Sequence, residues 1–455
     1  MTEKVGSVLI VETTEPDECE LCGCIAELRP YGPDGKSICV ECADKDPEGA
    51  MRMRVVDLFA GAGGLSLGFE MAGFETGYAL EQDKWAAETF AANMPEVRLD
   101  VCDIRNIGDS EIRKRVGFVP TVIVGGPPCQ GFSHSNTASR DPRDPRNTLF
   151  QDYIRFLAAL RPEACVIENV KGLCTATNES GQQVLSIILE SLSTVGYEAQ
   201  SFLLDAADYG VPQHRDRLFI VGLRRDIKRR DCLPARTHGK STSANLSLFE
   251  RWPTPHVTLG GAISVLPQIV HATFPSGLKY EFKAANEYQE LMRAGAGEIL
   301  NHEPMRHTAR LVDRFARIKY GESEADVPDE LSPRRRGDPE ELSGKRYGQN
   351  SRRQHPDYPC NTVPASSHTN FLHPYLHRNF TVRELARIQS FPDRFVFMGK
   401  RAVLSRSLSL RKGLVDDAFL DQRAQVGNAV PPLLAKAIAD VIVEALASKR
   451  ARCAS

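Results

Sequence analysis

The chain has 455 residues, 42% of them apolar and 25% charged, enough to bury a sizeable core divided among roughly two to four domains. Its formal net charge of -2 carries no whole-chain signal for nucleic acid, so any such signal must be local. Met1 to Glu18 has no basic start followed by an apolar run, and no stretch is long enough to span a bilayer, so a cytoplasmic protein without a membrane segment is expected. The twelve cysteines then read as reduced thiols and metal ligands rather than disulfides.

Residues 1–50 read as a separate unit. Cys19-x-x-Cys22 and Cys39-x-x-Cys42 are separated by sixteen residues. Each pair can chelate from one tight turn, and two such knuckles complete a tetrahedral sulfur site for structural zinc. Cys24 lies beside the first pair and is an alternative to Cys22 as a ligand. A unit this short cannot hold together by apolar burial alone.

Residues 54–104 read as two turns of an α/β fold. Val55 to Phe59 is a buried strand, Ala60-Gly61-Ala62-Gly63-Gly64 a tight loop, and Leu65 to Ala72 a helix. Tyr78-Ala79-Leu80 is a second strand that ends at Glu81, and a third around Leu99 to Cys102 leads to Asp103. Glycines let the backbone approach a ligand, and an acid about 20 positions later can bond both hydroxyls of a ribose. The loop has no phosphate-binding lysine of the Walker type, which favours a nucleoside with little or no phosphate.

Val122-Ile123-Val124 reads as a buried parallel strand that enters Gly125-Gly126-Pro127-Pro128-Cys129-Gln130-Gly131-Phe132-Ser133. Two prolines stiffen the backbone before the cysteine. A lone thiol on a rigid loop at the carboxyl end of a central strand is placed to be a nucleophile; the alternative is a buried structural cysteine. His134 to Asn147 reads as a mobile loop over the site, Leu149 to Leu160 as an amphipathic helix, and Cys165 to Ile167 as a fifth strand that ends at Glu168-Asn169-Val170. Val184 to Leu192 is a further helix. Gln213-His214-Arg215-Asp216-Arg217 precedes the strand Leu218 to Gly222, and in an extended chain Gln213, Arg215 and Arg217 share one side.

Together these motifs resemble those of the DNA cytosine-5 methyltransferases. The resemblance rests on Asp57-Leu58-Phe59-Ala60-Gly61-x-Gly63-Gly64, Pro128-Cys129-Gln130, Glu168-Asn169-Val170 and Gln213-x-Arg215-x-Arg217. Two later blocks match as well: Arg383-Glu384-x-x-Arg387-x-Gln389-x-Phe391-Pro392 and Gln425-Val426-Gly427-Asn428-Ala429-Val430-Pro431-Pro432. All six occur in the family's order and span roughly Arg54 to Val443. The departures are His214 at a variable position, the zinc-like N-terminus and an apparent insertion from Arg401 to Asp421.

The resemblance implies a Rossmann-like class I methyltransferase domain, α/β in class, at 51–225. It implies a smaller target-recognition domain at 226–360 and a segment at 361–455 that returns to the first domain. The N-terminal unit at 1–50 stands outside that core. The basic clusters Arg334-Arg335-Arg336, Lys345-Arg346 and Arg352-Arg353 suit a surface that grips phosphates and reads base edges. The C-terminal helix, with Leu433, Leu434, Ala437, Ile438, Val441, Ile442 and Ala445 on one face, is expected beside the glycine-loop helix, bringing Asn428 and Val430 to the cofactor.

By the same resemblance the cofactor is S-adenosylmethionine and the product S-adenosylhomocysteine. Its contacts are Phe59, Gly61, Gly63, Glu81 for the ribose, Asp103 for the adenine amine, Ile104, Pro128, Leu149, Asn428 and Val430. Cys129 is the nucleophile and Glu168 the acid at N3, while Arg217 with Arg215 holds the base O2 and orients Glu168. The implied partners are double-stranded DNA and a cognate restriction endonuclease, and the implied location is the prokaryotic cytoplasm at the nucleoid. Two rivals are a tRNA methyltransferase on the same fold and a DNA-binding regulator without catalysis. The long segment before residue 360 argues against the first, and the presence of Cys129, Glu168, Arg215 and Arg217 against the second.

Overall fold

The computed structural model describes residues 52–128, 148–227, 231–239, 254–269, 277–335, 338–342, 348–365, 371–401, 413 and 419–454, together with short strands between residues 3 and 39. A seven-stranded sheet organises the chain. Its strands are β1 (Arg54–Leu58), β2 (Glu75–Glu81), β3 (Arg98–Val101), β4 (Val122–Gly125), β5 (Ala164–Val170), β6 (Tyr197–Asp205) and β7 (Asp216–Arg224). They lie in the order β6-β7-β5-β4-β1-β2-β3. β1 to β5 pair in parallel, and β7 runs antiparallel to both β5 and β6.

The apolar runs are continuous because both faces of the sheet are covered. Alternate residues go to opposite sides: Val56, Leu58, Ile123, Cys165 and Ile167 join one cluster, and Val55, Val122, Val124, Ala164 and Val166 the other. The first cluster is closed by α4 (Leu149–Leu160) and α5 (Val184–Thr194) through Tyr153, Phe156, Leu157, Ile188 and Leu192. The second is closed by α1 (Gly64–Met71) and the C-terminal helix α11 (Pro432–Ala454) through Leu65, Phe69, Leu434, Ile438 and Ile442. The expected pairing of the two helices is present, and glycines make it close. A Cβ on Gly64 would overlap the Val430 carbonyl, and one on Gly68 the Ala435 side chain.

A third cluster joins the glycine-loop side to the second half of the chain. Ala60, Ala62, Leu67 and Phe90 pack with Leu259, Tyr288, Met292, Phe380, Leu385, Phe391 and Val426. A separate small core of Phe315, Ile318, Val327 and Leu372 forms around α8 (Ala309–Arg317). The block from Arg383 to Pro392 opens on α9 (Val382–Ile388), whose polar side chains are buried brackets. Arg383 donates to the carbonyls of Leu300, Pro392 and Phe395, and Arg387 pairs with Asp393.

The boundaries observed differ modestly from those expected. β2 is longer than Tyr78–Leu80. β3 ends at Val101, so Asp103 sits beyond it and caps the turn Ile104–Asn106 by accepting from the Arg105 N–H. Most of the 401–421 insertion, like loop 134–147, lies outside the described residues. Its far end is anchored where the Leu420 N–H donates to Asp83.

Candidate active site

The sheet order reverses between β1 and β4, which opens a crevice at the carboxyl ends of the parallel strands. At that point a Cβ on Gly125 would overlap the Leu58 carbonyl, so only glycine lets the two strands stay this close. The antiparallel β7 brings its amino end to the same edge, where Arg217 pairs opposite Val170. Residues from five distant segments therefore meet along one rim.

On the β1–β2 side the loop turns through the left-handed region, with φ of 62° at Phe59, 57° at Gly61 and 96° at Gly63. Phe59 is not a glycine, so its conformation costs about 1–3 kcal/mol and has to be held by its surroundings. Holding comes in part from Glu81, which is 8% exposed. Its Oε2 accepts the Gly61 N–H at 2.7 Å and its Oε1 the Asp83 N–H at 2.7 Å. Burial pushes the Glu81 carboxyl up and these two N–H groups pull it back; the net direction is upward. A Cβ on Gly61 would meet no atom within 4 Å, so the loop opens onto free space. An open glycine cradle beside a carboxylate, without a lysine, fits a nucleoside carrying no phosphate.

The remaining expected cofactor contacts are less uniform. Ile104 and Leu149 are buried, at 2% and 4% exposure, and Leu149 opens α4. Pro128 is half-buried at the crevice end of β4. Asp103 is paired with Arg105, which donates from Nε at 2.9 Å and from Nη2 at 2.5 Å. That pairing holds its carboxyl below the usual range. Asn428 is exposed at the end of α10 (Gln422–Asn428), and Val430 is buried against Gly64.

On the β4–β5 side, Glu168 and Arg217 form an ion pair with Nε 2.9 Å from Oε1, the side chains 12% and 13% exposed. Burial pushes the Glu168 carboxyl up; Arg217 and Arg215 offset part of that shift, and the net direction remains upward. The other carboxylate oxygen faces Gly126, where a Cβ would lie 3.2 Å from Oε2. Next along β5, Asn169 donates to the Pro127 carbonyl at 3.1 Å and so holds the backbone entering Pro128. The motif readings gave Asn169 no role. Its place on a buried strand end, as a polar residue between Glu168 and Val170, is the signal that marks it.

Arg215 departs from the expectation. It is 1% exposed and reaches Glu168 through its charge alone. Its guanidinium donates instead to the carbonyls of Val363 at 3.1 Å, Gly427 at 2.6 Å and Ala429 at 3.2 Å. Gln213 turns the same way, accepting from the Val363 N–H and donating to Gln389. His214 and Asp216 point to the opposite side, onto Asp205 and Lys171. Arg353 also departs from its reading as a phosphate grip. It is 5% exposed and donates to the carbonyls of Phe315, Ile318 and His373, closing the end of α8. Cys129, Cys19, Cys22 and Cys42, the side chain of Cys39, Arg336, Lys345 and Arg346 lie outside the described residues. No group able to hold a metal occurs among the described residues, and no helix among them is long and apolar enough to cross a membrane.

The profile of the C-5 cytosine-specific DNA methylases matches residues 53–444. Type II methyltransferase M.DdeI of Desulfomicrobium norvegicum is 44% identical over 390 residues, covering 86% of this chain and 88% of that protein. Type II methyltransferase M1.HphI of Haemophilus parahaemolyticus is 33% identical over 401 residues, 87% of each chain. The crystal structure of a candidate DNA modification methyltransferase encoded within an E. coli prophage superposes with a TM-score of 0.63 at 25% identity, covering 87% of this chain and 99% of that one. Spodoptera frugiperda DNMT2 shares the fold, with a TM-score of 0.50 at 15% identity over 86% of this chain and 99% of that one. With a matching profile across most of its length and relatives at this identity, the chain belongs to the C-5 cytosine-specific DNA methylase family.

Proposed function

We propose that this protein transfers a methyl group from S-adenosylmethionine to C5 of a cytosine in duplex DNA, as the modification enzyme of a restriction system. The observation that carries the reading is the Glu168–Arg217 pair, held beside Gly126 on the rim shared with the glycine loop. Cytosine C5 is a poor nucleophile until something adds at C6. In this reading the Cys129 thiolate adds there, and sulfur suits the step because it is polarisable and later leaves. Negative charge that develops at N3 is met by a proton or hydrogen bond from Glu168, whose upward shift keeps the acid form available. Arg217 orients Glu168 and holds the base O2. Asn169 holds the Pro127 carbonyl, two residues before Cys129.

Bound S-adenosylmethionine supplies an electrophilic methyl group to the enamine-like C5. Glu81, Gly61, Gly63, Asp103, Asn428 and Val430 are the residues that would hold it, with Phe59, Ile104, Pro128 and Leu149 lining the same end of the sheet. Asp103 must then share its carboxylate between Arg105 and the adenine amine. Finally a base, bound water or hydroxide in this reading, takes the C5 proton; that electron pair re-forms the C5=C6 bond and Cys129 leaves C6 as the thiolate. None of these groups reaches C6 inside a stacked duplex, so the target nucleotide flips out, with loop 134–147 closing over it.

We assign target recognition to residues within 226–360. The small core around α8 lies apart from the glycine-loop cluster, which supports a separate unit there. Cys19, Cys22, Cys39 and Cys42 form a structural zinc site in this reading, and that unit's acidic balance suits docking or support more than a phosphate grip. Metal analysis of the purified chain and of a chain without residues 1–50 tests it, with zinc expected in the first and not in the second.

The function is tested by labelled methyl transfer to unmethylated duplex DNA, to tRNA and to no substrate. Label in duplex DNA, mapped to cytosines by bisulfite sequencing, is the expected result. Label in tRNA alone, or binding to DNA without transfer, would overturn it.

A further inference from the structure

Arg215 is two residues from Arg217, yet its contacts lie in another part of the molecule. Residues 425–428 end α10, where the last carbonyls of a helix have no partner within it. Two of them are taken from outside: Gln389 donates to Val426 at 2.7 Å and Arg215 to Gly427 at 2.6 Å. Arg215 also takes the Ala429 carbonyl, so one guanidinium grips the backbone on both sides of Asn428, whose own side chain stays exposed. A cation at this position also complements the negative end of the helix dipole.

The other arm of Arg215 reaches Val363, where the chain leaves the candidate recognition region. That segment touches the same turn directly, since a Cβ on Gly427 would overlap the Pro364 carbonyl. Three residues further on, the Val430 carbonyl lies against Gly64 at the start of α1. A continuous path therefore runs from the recognition-region exit, through Arg215 and residues 427–430, to the glycine loop. Gln213 and Gln389 brace it with a 2.8 Å bond of their own.

We propose that Arg215 is a positioning residue: it fixes Asn428 at the cofactor end and Val363 at the target end, and it does not act on the base. This deepens the reading of function given above and rests on its choice of cofactor. Lysine at this position keeps the charge but lacks the planar fork that spans three carbonyls. Arg215→Lys and Arg217→Lys are compared with the wild-type chain in steady-state methylation of unmethylated plasmid DNA. Binding of S-adenosylhomocysteine is measured by calorimetry, and thermal melting is recorded alongside.

Arg215→Lys is expected to raise the cofactor KM and the S-adenosylhomocysteine Kd by about tenfold while kcat at saturation falls by less than about threefold. Arg217→Lys is expected to show the opposite split, with kcat down by about a hundredfold or more and cofactor binding unchanged. If Arg215→Lys does not fold, Gln389→Met, which releases the Val426 carbonyl of the same turn, is expected to weaken S-adenosylhomocysteine by about threefold. Loss of kcat without loss of cofactor binding in Arg215→Lys would place it at the base and overturn the proposal. Unchanged cofactor binding in Gln389→Met would overturn it equally. Wild-type binding of S-adenosylhomocysteine is the separate control on which the cofactor assignment stands or falls.

Discussion

Arg217 holds Glu168 by a 2.9 Å contact from Nε to Oε1, and Glu168 Oε2 faces Gly126. The pairing follows from strand direction. Because β7 runs against β5, the start of one meets the end of the other, and two residues 49 positions apart become neighbours. The carboxyl is pushed up by burial and pulled back by the two arginines, which suits a group that must be acidic yet stay oriented.

Glu168→Gln keeps the size of the side chain and removes the proton it can give. Methylation kcat is expected to fall by about a hundredfold or more while DNA binding stays within about threefold. In the wild type the acid form is lost as pH rises through the upward-shifted value, so activity should decline on that limb at a higher pH than for an ordinary carboxyl. Stopped-time assays across pH read both effects. An undiminished kcat in Glu168→Gln would remove Glu168 from the chemistry.

Asp57 gives a pH dependence of stability. It is fully buried in β1, and Ser66 donates to its Oδ2 at 2.7 Å. Burial, against the Ser66 bonds, raises its carboxyl from 3.8 to about 7. The folded state therefore holds this proton more tightly than the unfolded chain. Its contribution to stability is full below about pH 4 and is lost as pH rises through about 7, on the order of 4 kcal/mol in all. Asp57→Asn should remove that slope. Denaturant melts at pH 5 and pH 8 are expected to show the wild type losing more stability than the variant between the two; equal losses would contradict the shift.

Much of the fold is legible in the chain because buried parallel strands have no polar face. Val122 to Val124 and Cys165 to Ile167 read as strands for that reason, and glycines mark the loops after them. β6 has no such signature. It is an edge strand paired only with β7, and Glu198, Ser201 and Leu203 on it are exposed. The rim residues are legible too, since Glu81, Glu168 and Arg217 each sit at a strand end. What alternation does not separate is Arg215 from Arg217. Their difference lies in Val363, Gly427 and Ala429, about 150 to 214 residues away, and no local pattern carries it. Arg353 hides in the same way, as one of a basic pair whose partners are carbonyls.

Gly64 tests the contact between the first and last helices. A Cβ there meets backbone rather than the tip of a flexible side chain, so α11 must move. Gly64→Ala is expected to cost about 1–3 kcal/mol in chemical denaturation and to raise the cofactor KM, because Val430 and the glycine loop shift together. An unchanged cofactor KM in a destabilised variant would show that Val430 supports the fold without serving the site.

In the proposed mechanism Cys129 adds to C6 of a flipped cytosine. A duplex carrying 5-fluorocytosine at the target, incubated with the full chain and S-adenosylmethionine, traps this adduct, because fluorine cannot leave as the C5 proton does. A denaturation-resistant complex is expected, with the DNA mapped by mass spectrometry to the peptide containing Cys129 and no complex from Cys129→Ala. A complex that persists in Cys129→Ala, or one mapped to another cysteine, would rule Cys129 out as the nucleophile.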